Sequence, residues 1–135
     1  MSYLLDTVVL SEMRKSQPSP KVLAWLKRQK VEELFISVVS IGEIERGITM
    51  ARKKNPAFSD ELALWLQQLL TLHTDRVLPI TSNIARTWGK LSAQLGHDGA
   101  DILIAATAIH HKLTVVTRNV KHFEPAGVTI VNPFA

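Results

Sequence analysis

Short apolar runs alternate along this chain with longer stretches in which apolar residues recur at helical spacing. Leu4 to Asp6 reads as a first strand, followed by a short helix to about Lys15. Ser19-Pro20 supplies an N-cap and a proline at the first helical position, opening a helix to about Lys30. Leu34-Phe35-Ile36-Ser37 reads as strand two. From Ser40 the residues Ile41, Ile44, Ile48 and Ala51 fall on one helical face, until Asn55-Pro56 breaks the pattern. A further helix covers about Ser59 to His73, with Leu62, Trp65, Leu66 and Leu69 turned inward. Val77 to Ile80 makes strand three, and Ile84, Trp88, Leu91 and Leu95 mark a helix that Gly96 ends. Asp101 opens DILIAATAIHH, which is apolar nearly all round and therefore a buried helix. Thr114 to Val116 and Val128 to Val131 are strands four and five.

Strands that are continuous apolar runs, separated by helices, predict an α/β fold: a mainly parallel five-stranded sheet flanked by helices on both faces. The length of 135 residues fits a single domain spanning 1–135. No apolar run is long enough to cross a bilayer and no signal-peptide pattern opens the chain, so a cytoplasmic protein with no membrane partner is expected. Cysteine is absent, which excludes disulfides and thiolate metal sites. The net charge of +4 favours a polyanionic partner, with basic residues grouped at Arg14-Lys15, Lys27-Arg28-x-Lys30 and Arg52-Lys53-Lys54. Neither a Walker A sequence nor G-x-G-x-x-G occurs, which argues against a nucleotide-binding enzyme.

Four polar positions stand out against this apolar background. Asp6 sits between two runs that both belong inside, where an uncompensated carboxylate is costly. It is placed to cap the helix that follows. Ser40-Ile41-Gly42-Glu43 has capping-box spacing, Asp101 is placed to cap its own helix, and Asn119 lies in the turn after strand four. Topology gives these residues a second meaning. The carboxyl ends of parallel strands share one edge, where ligands bind. Asp6, Glu43 and Asn119 all follow strand ends, whereas spacing alone does not bring Asp101 to that edge. Acidic side chains gathered there would repel one another without a cation, and their oxygens are what a hard divalent metal requires.

LLDTVVLSE, SVVSIGEIERG, DILIAATAIHH and VVTRNVKHF, in this order, resemble the four motifs of PIN-domain ribonucleases, specifically the VapC/FitB toxins of bacterial toxin–antitoxin pairs. The similarity runs from Tyr3 to Pro133. It implies that Asp6, Glu43 and Asp101 bind Mg2+ or Mn2+, that Asn119 completes the catalytic set, and that family packing brings Asp101 to the pocket. Thr7, Ser11, Thr117 and Arg118 become candidates for contact with substrate, with local capping the alternative for Thr7 and Ser11 and an exposed turn position the alternative for Arg118. The implied activity is hydrolysis of RNA phosphodiester bonds, with tRNA or another structured RNA as substrate. A homodimer and a VapB-like antitoxin are implied as well, with operator DNA bound only through the antitoxin complex.

Two positions depart from the pattern. Val8 stands where many relatives carry Asn, and Asn119 is a neutral amide where wider PIN domains often have Asp. Lys121-His122-Phe123 also lacks the acid often seen before the Phe, and His122 reads as a surface or substrate-side residue. His110 and His111 suit the carboxyl-terminal dipole of their helix. Trp25, Trp65 and Trp88 fall on apolar helical faces. The competing reading is a catalytically weak PIN module that acts by binding RNA or protein. A phosphoacceptor receiver fits less well, since LLDTVV supplies one acid instead of a pair and no lysine follows the last strand.

Overall fold

The apolar runs pair as a five-stranded, wholly parallel sheet in the computed structural model, which describes residues 1–135. The strands are β1 (Tyr3–Leu5), β2 (Leu34–Ser37), β3 (Val77–Leu78), β4 (Thr114–Val116) and β5 (Ile130–Val131), in the spatial order β3-β2-β1-β4-β5. Seven helices connect them: α1 (Thr7–Arg14), α2 (Pro20–Lys27), α3 (Val38–Lys54), α4 (Pro56–Leu72), α5 (Ser82–Leu95), α6 (Ala100–His111) and α7 (Val120–Phe123). The α/β architecture with helices on both faces is therefore as the apolar pattern predicts.

Successive strand residues point to opposite faces. Leu5, Ile36 and Val116 enter one core with Val9 of α1, Val22 of α2, Ile44 and Ile48 of α3, and Leu62 and Leu66 of α4. Leu4 and Val115, one position earlier on the same strands, enter the other core with Ile104, Ala105 and Ala108 of α6 and Phe123 of α7. The small residues of α6 let it lie close to the sheet, and α5 packs outside it. Trp25 is buried in the first core, as its helical spacing implies.

Several boundaries move, each for a local reason. Helix α3 begins at Val38, because the Ser37 side chain accepts a hydrogen bond from the Val39 amide at 3.0 Å. Ser40 is therefore inside the helix, and the Ser40–Glu43 capping box does not form. Helix α4 begins at Pro56 instead of near Ser59, since Asn55 caps it through the Phe58 amide at 3.2 Å and proline is favourable at a first helical position. Strand β3 ends before Pro79, which has no amide to give a ladder. Helix α7 is a single turn, too short to leave a periodic signature.

Strand order fixes where a site can form. The chain builds β1, β2 and β3 outward in one direction, then returns to place β4 and β5 on the other side of β1. The order thus reverses between β1 and β4, where a crevice opens at the carboxyl edge. Only Lys112 and Leu113 separate α6 from β4, so α6 must end at the amino edge. Its 12 residues span about 18 Å, which carries its N-terminus, with Asp101, back to the carboxyl edge.

Far from that edge, His73 ends α4 fully buried. Its Nδ1 lies 3.1 Å from the Leu69 carbonyl oxygen, to which it donates, leaving Nε2 buried without a partner. Arg76 fastens the same corner to β2 through the Leu34 carbonyl at 3.2 Å. Burial, reinforced by the Arg76 charge, pushes the His73 imidazole below its ordinary value of 6.5. The unfolded chain therefore takes up this proton first, so the contribution is present above pH 6.5 and lost as pH falls below it. Urea unfolding at about pH 7.5 and about pH 5.5 should show wild type losing more stability between the two than His73→Gln.

Candidate active site

Asp6 is the first residue beyond β1 and caps α1, as its position in the sequence suggests. It is 7% exposed. One carboxylate oxygen accepts from the Thr7 amide at 2.8 Å and the other from the Thr117 hydroxyl at 2.8 Å. Thr117 follows β4, so this bond joins the two strands that flank the switch point. The Thr117 hydroxyl also accepts from the Asn119 amide at 2.9 Å, which sets the turn carrying Asn119. Thr117 is itself fully buried. The structure thus places it behind Asp6, not on the substrate side expected from the sequence.

Glu43 projects from the second turn of α3 and is held from α1. Thr7 Oγ1 lies 2.6 Å from Glu43 Oε1 and 2.7 Å from Ser40 Oγ. A carboxylate only accepts, so the single Thr7 proton goes to Glu43 and Ser40 donates to Thr7. Thr7 therefore grips both acids, one with its amide and the other with its hydroxyl.

Asp101 occupies the first turn of α6, whose N-cap is Gly99. No side chain caps this helix, so the Asp101 carboxylate does not take the capping role expected of it. A Cβ on Gly99 would come within 2.7 Å of Asp101 Oδ1. Gly99 has φ −60°, which any residue adopts, so its small size is what matters here.

Asp6, Glu43, Asp101 and Asn119 converge on one cavity of about 410 Å³, together with Thr7, Val8 and His122. Of the two remaining candidates, Ser11 lines a separate depression with Arg14, Phe58 and Trp65, to which Thr7 and Glu43 also contribute. Arg118 turns outward and stacks on the Phe134 ring at 4.1 Å. Sequence reasoning missed two contributors. Ser40 is a buried hydroxyl inside an apolar helix face, and Gly99 is a glycine two residues before an acid that it must not crowd.

No lysine or arginine pairs with the three acids; the only ionisable partner is His122, whose Nδ1 lies 3.6 Å from Asp101 Oδ2. Burial raises the Asp6 carboxyl above its ordinary value of 3.8, opposed by the bonds from Thr117 and Thr7, and the charges of Glu43 and Asp101 raise it further. The carboxylates do not close into a ready-made cage. An open, acid-lined cavity without a lysine or arginine suits a hydrated divalent ion that keeps part of its water shell.

The family model for the PIN domain matches residues 3–127. The chain belongs to the PIN-domain family. Among curated relatives of this PIN domain, VapC ribonuclease Y4jK of Sinorhizobium fredii is 36% identical over 97% of this chain and 96% of its own length. Toxin FitB of Neisseria gonorrhoeae is 34% identical, with 97% of both chains covered. Among solved structures, FitAB bound to the IR36 DNA fragment superposes with a TM-score of 0.86 at 32% identity, covering 98% of this chain and 96% of that one. No helix of this PIN domain is long and apolar enough to cross a membrane.

The raised Asp6 carboxyl makes a stability prediction. In the folded state Asp6 holds its proton above 3.8, so its stabilising contribution is present below that value and is lost as pH rises through the raised one. With EDTA present, Asp6→Asn should melt higher than wild type at neutral pH, and thermal melts should show the gap closing as pH approaches 3.8. A gap independent of pH would mean that Asp6 carries no electrostatic strain.

Proposed function

We propose that this PIN domain is a Mg2+- or Mn2+-dependent endoribonuclease and the toxin of a type II toxin–antitoxin pair, hydrolysing phosphodiester bonds in tRNA or another structured RNA. The observation that carries this reading is the convergence of Asp6, Glu43 and Asp101 on one cavity with no lysine or arginine to neutralise them. The match to the PIN-domain family model supports the same reading, as do the names of the ribonuclease and toxin relatives.

In this reading Asp6, Glu43 and Asp101 hold the ion. When bound, the ion supplies positive charge for the scissile phosphate and lowers the pKa of an attacking water. The protein's own part is to hold the acids still. Thr117 and the Thr7 amide fix both oxygens of Asp6, and the Ser40–Thr7 pair aims Glu43. Asn119, exposed at the cavity rim, offers an amide that can accept from a water or donate to a phosphate oxygen without adding charge. Arg118, outside the cavity, supplies attraction to the RNA backbone beyond the cleaved bond. A homodimer, a VapB-like antitoxin that neutralises the toxin, and operator DNA reached through that complex complete the proposal. FitAB, a complex seen on DNA, is the structural relative that supports it. We place the protein in the cytoplasm, where its RNA substrates are.

Incubation with total cellular RNA in Mg2+ or Mn2+, and again in EDTA, tests the activity. Cleavage should require the metal, and Asp101→Asn should slow it by roughly 10²-fold or more while the fold persists. Asn keeps the shape of Asp and removes only its charge. Undiminished cleavage by Asp101→Asn would remove this acid from the mechanism. RNA binding without cleavage in any divalent metal would favour the weakly catalytic module instead.

A further inference from the structure

His122 and Asp101 face each other at the distance of a loose side-chain pair. A separation of 3.6 Å between Nδ1 and Oδ2 is too long for a charge-assisted hydrogen bond. Donors about 2.1 Å from a common six-coordinate centre stand about 3 Å apart, so a closing shift of about half an ångström would let both side chains hold one ion. Both side chains line the cavity that holds Asp6 and Glu43, and His122 is brought there by the single turn of α7. Phe123, the next residue, is fully buried in the second core and anchors that turn. His122 itself is 63% exposed, so packing does not explain its place.

We infer that His122 supplies a nitrogen donor to the divalent ion on the Asp101 side of the cavity, giving this site a preference for first-row transition ions over Mg2+. Imidazole nitrogen binds such ions far better than it binds Mg2+, which demands oxygen and holds its waters. The neutral Asn119 acts in the same direction, because it leaves the site one anionic oxygen short of a fully acidic set. The inference rests on the metal-dependent reading above and deepens it. It concerns which ion this particular cavity selects.

The test is metal binding by the full-length protein, measured without RNA. Calorimetric titration of wild type with Mn2+ and with Mg2+ gives the starting preference. His122→Ala should weaken Mn2+ binding on the order of tenfold and change Mg2+ binding little. His122→Asp should strengthen Mg2+ binding, since it restores an anionic oxygen. Pulsed electron paramagnetic resonance of the Mn2+-loaded protein should show a directly coupled nitrogen that disappears in His122→Ala. His97 supplies the control, because its Nδ1 lies 3.5 Å from where a Gly99 Cβ would stand. His97→Ala should retain the coupling. Equal loss of both metals in His122→Ala, unchanged Mn2+ binding, or a nitrogen signal that survives that substitution would overturn the inference. Asp101→Asn separates the two claims. If it abolishes Mn2+ binding while His122→Ala does not weaken it, the metal site stands and only the histidine's role falls. If wild type binds neither ion, both fall.

Discussion

The carboxylate of Asp6 is the constraint around which this molecule is arranged. It sits at the end of the central strand, 7% exposed, where ionisation is opposed by burial and by two neighbouring acids. Two hydrogen bonds keep it there, one from the residue that follows it and one from Thr117 at the end of β4. The second links positions 111 residues apart in the chain. It works only because the sheet order puts β4 beside β1, so the site depends on the topology. A backbone bond from the Asp6 amide to the Val116 carbonyl at 2.9 Å makes the same junction.

Much of the fold is written in the apolar pattern. Continuous runs such as YLL and TVV fit strands covered on both faces, and DILIAATA fits a helix pressed on a sheet. Boundaries are less legible where two local signals compete. SVVSIGE contains two serines, either of which could cap α3, and Ser37 does so because Ser40 is needed inside against Thr7. The single turn α7 left no trace because four residues cannot show a period of 3.6.

The site was legible in its acids and not in their supports. Asp6, Glu43 and Asn119 follow strand ends, and a charge amid apolar runs draws notice. Asp101 required the resemblance to known PIN domains, yet the two-residue link from α6 to β4 also dictates its position. The resemblance made Thr117 a candidate for substrate contact; tertiary packing turns its hydroxyl onto Asp6. Gly99 and Ser40 act through the room and the proton they provide, and no spacing rule announces either.

Under the proposed function, these acids are assembled at some cost to the fold so that a cation can be held at the switch point. The most direct measurement is a crystal structure of the protein grown with Mn2+, with anomalous differences recorded at a wavelength that identifies the metal. The account predicts a Mn2+ peak in the cavity, in contact with carboxylate oxygens of Asp6 and Asp101. A cavity that holds only water at saturating Mn2+, or a metal bound elsewhere on the molecule, would contradict it.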